Sequence, residues 1–144
     1  MLPRMVETGR EAGIEFDYGG KVAATQRSHA LIEAAYKHGG AFCQDAVVEA
    51  LFKFYFESQG NLGDAAAVRK TVTDAGLPGD VADAVLSRPA REVHAEVEAA
   101  VDALRGKYGV SGVPFFVFNG AMSVSGAQDP STLAKIFERL APAS

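Results

Sequence analysis

The sequence predicts an α/β fold that is mostly helical, and three observations predict it. Apolar residues recur at helical spacing in successive stretches, most of them closed by glycine. One stretch alone, Val110 to Gln128, reads as a β-hairpin: Phe115-Phe116-Val117-Phe118 is aromatic and β-branched, follows a proline, and precedes Asn119-Gly120, which suits a type I′ turn. Finally, 144 residues at 48% hydrophobic and mean hydropathy +0.04 suffice for one core, so a single soluble domain over 1–144 is expected.

The elements follow in order. Helix formers from Met1 to Ala12 carry Leu2, Met5 and Val6, and Gly13 stops them. Ile14-Glu15-Phe16-Asp17-Tyr18 alternates apolar and acidic, which suits a short extended segment with Ile14, Phe16 and Tyr18 inward. Thr25 caps a helix to about His38, with Leu31, Ala34, Ala35 and His38 on one face and Gly39-Gly40 closing it. The next helix, about Phe42 to Ser58, places Val47, Leu51, Phe54 and Tyr55 on a face widened by Val48, Phe52 and Phe56, so the Phe52 to Phe56 aromatics read as core. Asp64 caps a helix over about Ala65 to Ala75, stopped by Gly76, and a short helix follows from Pro78 to Leu86.

Pro89 suits the first turn of a long helix to about Tyr108, on which Val93, Val97, Val101, Leu104 and Tyr108 form one stripe. Glu92, His94, Glu96 and Glu98 read as its solvated side. Gly109 ends it and the hairpin begins, with Met122 to Ser125 as the return strand. Asp129-Pro130 opens a last helix, Ser131 to Leu140, with Leu133, Ile136, Phe137 and Leu140 inward; residues 141–144 are expected to fray.

Composition excludes several function classes. Fourteen Lys and Arg against eighteen acidic residues give net −4 and pI near 5.3, with no basic cluster for nucleic acid or an anionic membrane. No apolar run has the length of a membrane helix, and the start lacks the apolar core of a signal peptide, so a cytoplasmic protein is expected. Cys43 is the single cysteine; with no CxxC and no Cys/His pair at ligand spacing, neither a dithiol site nor a metal site is expected, and no cofactor is implied.

Ser111-Gly112-Val113-Pro114-Phe115-Phe116-Val117-Phe118, then Gly120 and Ser125-Gly126-Ala127-Gln128, resembles the proline-loop hairpin of the DsbA-like thioredoxin superfamily, most closely its FrnE-type branch. That branch is related to 2-hydroxychromene-2-carboxylate isomerases and kappa-class glutathione transferases. Thr25-Gln26-Arg27-Ser28-His29-Ala30-Leu31-Ile32 is similar to the family's segment opening its helical insertion, and Val48 to Phe56 to the aromatic helix that follows. The resemblance implies a partial thioredoxin-like fold: a helical insertion over about 20–108 and a C-terminal thioredoxin-like half over 110–140. It further implies a cis Val113-Pro114 bond, with Val113 offering its backbone to an extended thiol or peptide substrate. His29 is implied to line the substrate cleft, and a structural hydrogen bond is the other reading.

Family members open with a β-strand and a CxxC or serine-containing motif at a helix N-terminus, a segment for which residues 1–144 hold no match. Thiol-disulfide exchange needs a thiolate activated at such a helix start and a second thiol to release the mixed disulfide. The expectation is therefore a DsbA-like family member without intrinsic redox turnover. The alternative is a non-catalytic binding or assembly module using the hairpin edge and proline loop. Cys43 is either a packed small side chain or a redox-sensitive thiol near a helix start. Without a first strand beside Phe115 to Phe118, either Ile14 to Tyr18 substitutes for it or two copies pair as a homodimer.

Overall fold

The computed structural model describes residues 2–141. They group into two compact units, Met1–Glu98 and Ala99–Ser144, each described in turn.

In the first unit, α1 (Leu2–Glu11) ends before Gly13, whose φ of +77° is left-handed and suits glycine. The long helix α2 (Gln26–Phe52) breaks in its middle at Gly39 and Gly40; Gly40, at φ 67° and ψ −161°, occupies backbone space that only glycine visits cheaply. Gln44 spans the break by donating from Nε2 to the Ile32 carbonyl at 3.3 Å. Helix α2 runs on into one π-helical turn, Lys53–Glu57, which Gly60 closes by donating its N–H to the Phe54 carbonyl at 2.7 Å. Then come α3 (Ala65–Asp74), α4 (Gly79–Leu86) and α5 (Ala90–Tyr108).

Asp64 caps α3 as its sequence position predicts, accepting from the Ala66 and Ala67 amides at 3.0 Å each. Thr25 does not act as expected: its backbone sits at φ −100°, ψ −2°, and its side chain makes no capping bond. The core of this unit is Leu31, Ala35, Val47 and Leu51 of α2 against Val68 and Val72 of α3, Leu77, Ala82 and Val85 around α4, and Val93 at the start of α5. Every fully buried hydrophobic side chain among the described residues lies between Ala30 and Val93.

Several expected core positions are exposed. His38 and Phe52 face solvent, Phe52 at 55%. Phe56 instead gathers the aromatics, with Phe16, Tyr18, Phe52 and Tyr55 rings 4.8–6.2 Å from it. Ile14 to Tyr18 alternates half-buried and exposed as expected, yet forms no strand. A single backbone bond, Asp17 N–H to the Phe56 carbonyl at 2.7 Å, ties it to the π-helical turn. Asp17 also accepts from Gln59 and from the Gly19 amide, and these bonds hold its carboxyl below the usual range, Gln59 contributing most.

In the second unit, the end of α5 leads through Gly109, at φ +67°, to a loop and the hairpin β1 (Phe115–Phe118) and β2 (Met122–Ser125). The strands are antiparallel, with Phe116 opposite Val124 and Phe118 opposite Met122. Asn119 and Gly120 both have positive φ, 51° and 69°, and Ala121 donates its N–H to the Phe118 carbonyl at 3.1 Å. The connection thus holds three residues, Ala121 being the one added to the Asn-Gly pair. Helix α6 (Pro130–Leu140) starts on Asp129, which caps it. Leu133, Ile136 and Leu140 are half-buried, whereas Phe137, expected inward, is 60% exposed. Of the segment expected to fray, residues 142–144 lie outside the described residues.

Candidate functional site

The second unit presents the arrangement with functional character, built around the proline loop. The Val113–Pro114 peptide bond is cis. One hydrogen bond secures the loop from behind, the Gly126 amide donating to the Pro114 carbonyl at 2.9 Å, and Gln128 Nε2 fixes that segment in turn by donating to the Ser125 and Gly126 carbonyls at 3.1 and 3.3 Å. Gly126 can serve there because its φ of +84° turns the chain out of β2. Thus the end of β2 and the first residues after it brace Pro114.

Val113 itself is 88% exposed, and its N–H and C=O enter none of the hydrogen bonds among the described residues. It lines an apolar groove of about 380 Å³. One wall is the last turns of α5, carrying Val101, Leu104 and Tyr108; the other is Phe115 and Val117 of β1, with the loop closing one end. Alternation along β1 explains this wall. Phe116 and Phe118 share one face with Met122 and Val124, leaving Phe115 and Val117 on the other with Ser123 and Ser125.

The hairpin is a two-stranded sheet, so β1 pairs with β2 on one side only. Its second edge, a row of backbone donors and acceptors, is available beside the groove. The groove exists because the α5 stripe is not covered throughout. Val93 is buried and Val97 half-buried, but Val101 and Leu104 are 39% and 52% exposed, against the expectation of one buried face. Arg105, also on the groove wall, ion-pairs with Asp102 at 3.6 Å. It had no signal in the sequence beyond its place one turn after Val101.

His29 and Cys43 belong to the first unit. His29 is exposed near the start of α2, and among the described residues its side chain makes no hydrogen bond. Cys43 is half-buried just past the break in α2, packed against the core; a Cβ on Gly39 would fall 2.6 Å from its own Cβ. Among the described residues no group of three or more His, Cys, Asp or Glu side chains is placed to hold a metal ion, and no helix is long and apolar enough to cross a membrane.

Comparison with known proteins adds the family. The search of curated proteins finds no match. A family model, that of the DSBA-like thioredoxin domain, matches residues 1–138, nearly the whole chain. With a mostly helical first unit, a proline-led hairpin and a terminal helix, the chain belongs to the DSBA-like thioredoxin domain family.

Proposed function

We propose that this chain is a FrnE-type member of the DsbA-like thiol-disulfide oxidoreductases that binds an extended thiol-bearing or peptide segment at the proline loop and does not itself turn over disulfides. The observation that carries this reading is Val113: its backbone donor and acceptor have no partner among the described residues, at the mouth of an apolar groove and beside the open edge of β1. An extended peptide placed there takes main-chain hydrogen bonds from Val113 and β1. Alternate side chains then enter the groove over Leu104, Phe115 and Val117.

The chemistry argues against turnover by residues 1–144 alone. Cys43 is their single thiol, so a mixed disulfide formed on it has no second cysteine to release it. The cytosol is the compartment we propose, since a lone free cysteine is ordinary there.

The test has two arms. Insulin reduction by the purified chain should match that of a Cys43→Ser variant, and turnover abolished by Cys43→Ser would defeat the non-catalytic reading. An unstructured model peptide should perturb the amides of residues 110–118, and Val117→Lys should weaken that binding. Perturbation confined to the first unit would defeat the binding reading.

A second reading rests on the same open edge: the extended segment is β1 of another copy, giving a two-fold dimer. The exposed Val117, at 38%, favours it, since a like strand would cover that side chain.

A further inference from the structure

A different place in the molecule, independent of the proline loop, has the makings of a small-molecule site. In the first unit a cavity of about 200 Å³ lies among the first turns of α2, α3 and α5. Leu62, Val68, Leu86 and Ala90 make its lining mostly apolar, and Gln26 and Arg27 bring polar side chains to it. Arg27 donates from Nη2 to the Arg88 carbonyl at 3.2 Å, while its Nε is buried and has no partner among the described residues.

Arg27 is also without a counter-ion. The ion pairs among the described residues engage Arg10, Lys37, Arg69, Lys70, Arg88, His94 and Arg105, and none includes Arg27. A guanidinium offers five donors and cannot shed its charge, so a half-buried one that lines a cavity and has no acid beside it favours an anion there. Ser28, the next residue, also has a buried hydroxyl with no partner among the described residues, but it lies outside the cavity lining. The uncapped start of α2 holds both residues, and a negative charge is favoured there. Asp64, the nearest acid in sequence to the rim residues Gly63 and Ala65, is already committed to the α3 amides.

We propose that this cavity binds a small organic monocarboxylate, its carboxylate on the Arg27 guanidinium and its apolar body against Leu62, Val68 and Leu86. A carboxylate suits the planar fork of arginine and leaves only an apolar remainder to place. An inorganic tetrahedral anion has further oxygens that need donors, and beside Arg27 only the Gln26 side chain of this lining offers any, so charge would be left against Leu62, Val68 and Leu86. The volume lies below the roughly 300–1,000 Å³ of drug-sized pockets, which limits the ligand to an aryl or short alkyl acid.

Amide-resolved NMR titration of the full chain tests this with three probes: benzoate, its neutral relative benzyl alcohol, and sulfate. Benzoate should give saturable shifts centred on residues 24–28, 62–68 and 86–90, and should bind at least about tenfold more tightly than benzyl alcohol. Arg27→Gln should weaken benzoate by about the same factor. Ala90→Leu keeps the guanidinium and fills the cavity from an exposed helix start, so it should abolish binding while the fold persists even if Arg27→Gln unfolds. Equal affinity for benzyl alcohol, equal competition by sulfate, or no saturable shift in the wild-type chain each overturns the proposal.

Discussion

Phe118 at the end of β1 and Phe137 on α6 meet edge to face, their ring centroids 5.8 Å apart and their planes at 81°. Phe116 stacks alongside Phe118 at 6.4 Å, so three aromatic rings tie the hairpin to the last helix. Edge-to-face pairs contribute about 0.5–1.5 kcal/mol beyond area burial. Because Phe137 is 60% exposed, Phe137→Ala should cost about 1 kcal/mol, well below a core phenylalanine truncation. Hydrogen exchange of the β1 and β2 amides measures it; unchanged protection would mean that the contact holds nothing together.

Asp129 gives α6 a pH dependence. Its carboxylate accepts from the Ser131 and Thr132 hydroxyls and the Thr132 amide, and these bonds, Ser131 first, lower its pKa from 3.8 to about 2. A depressed folded-state value stabilises the helix start fully above the unfolded pKa of 3.8, and this contribution fades as pH falls toward about 2. Helicity of residues 130–140 should therefore drop between pH 4 and pH 2 in the native chain and be low and flat across that window in Asp129→Ala. Carbon chemical shifts of those residues report both curves, and parallel curves would refute the cap.

Gly40 in α2 is set against a side chain by its backbone conformation, not by crowding. Its φ of 67° with ψ −161° is nearly forbidden to other residues, so Gly40→Ala should destabilise the first unit by about 1–3 kcal/mol. Urea unfolding followed by far-ultraviolet circular dichroism would show an earlier midpoint. An unmoved midpoint would indicate that α2 straightens at no cost.

Sedimentation at micromolar concentration separates the two occupants of the β1 edge. If like strands pair, the chain should run as a dimer that Val117→Lys disperses with its helices intact. A strict monomer restricts the edge to other peptides.

Much of this architecture was legible because helix ends announce themselves chemically. Asp64, Gly76, Gly109 and Asp129 each stand where an α-helix starts or stops, and the sequence places the elements on them. Burial was less legible. Periodicity shows that Val93, Val97, Val101 and Leu104 share a side of α5, but not that anything lies over it, and cover gives out past Val97. The same limit applies to Phe52, His38 and Phe137. Ile14 to Tyr18 has the alternation of a strand, yet alternation records which side chains face inward and not whether a backbone ladder exists. The proline loop was legible by resemblance, whereas Arg27 was invisible: an arginine on a helix is ordinary until the partners around it are known.

Among the described residues, the confinement of every fully buried hydrophobic side chain to residues 30–93 divides the energetic character of the chain. Opening residues 99–141 exposes no completely sequestered group, so their amides should exchange through cheap local excursions, while α2, α3 and α4 open only in near-global unfolding. If the hairpin takes the peptide proposed for it, its low intrinsic stability lets it adjust to that guest and collect part of its order from it, whereas the helical unit should change little. Affinity at the groove should then carry an ordering penalty, and a tight guest should report itself as protection spreading from β1 into α6.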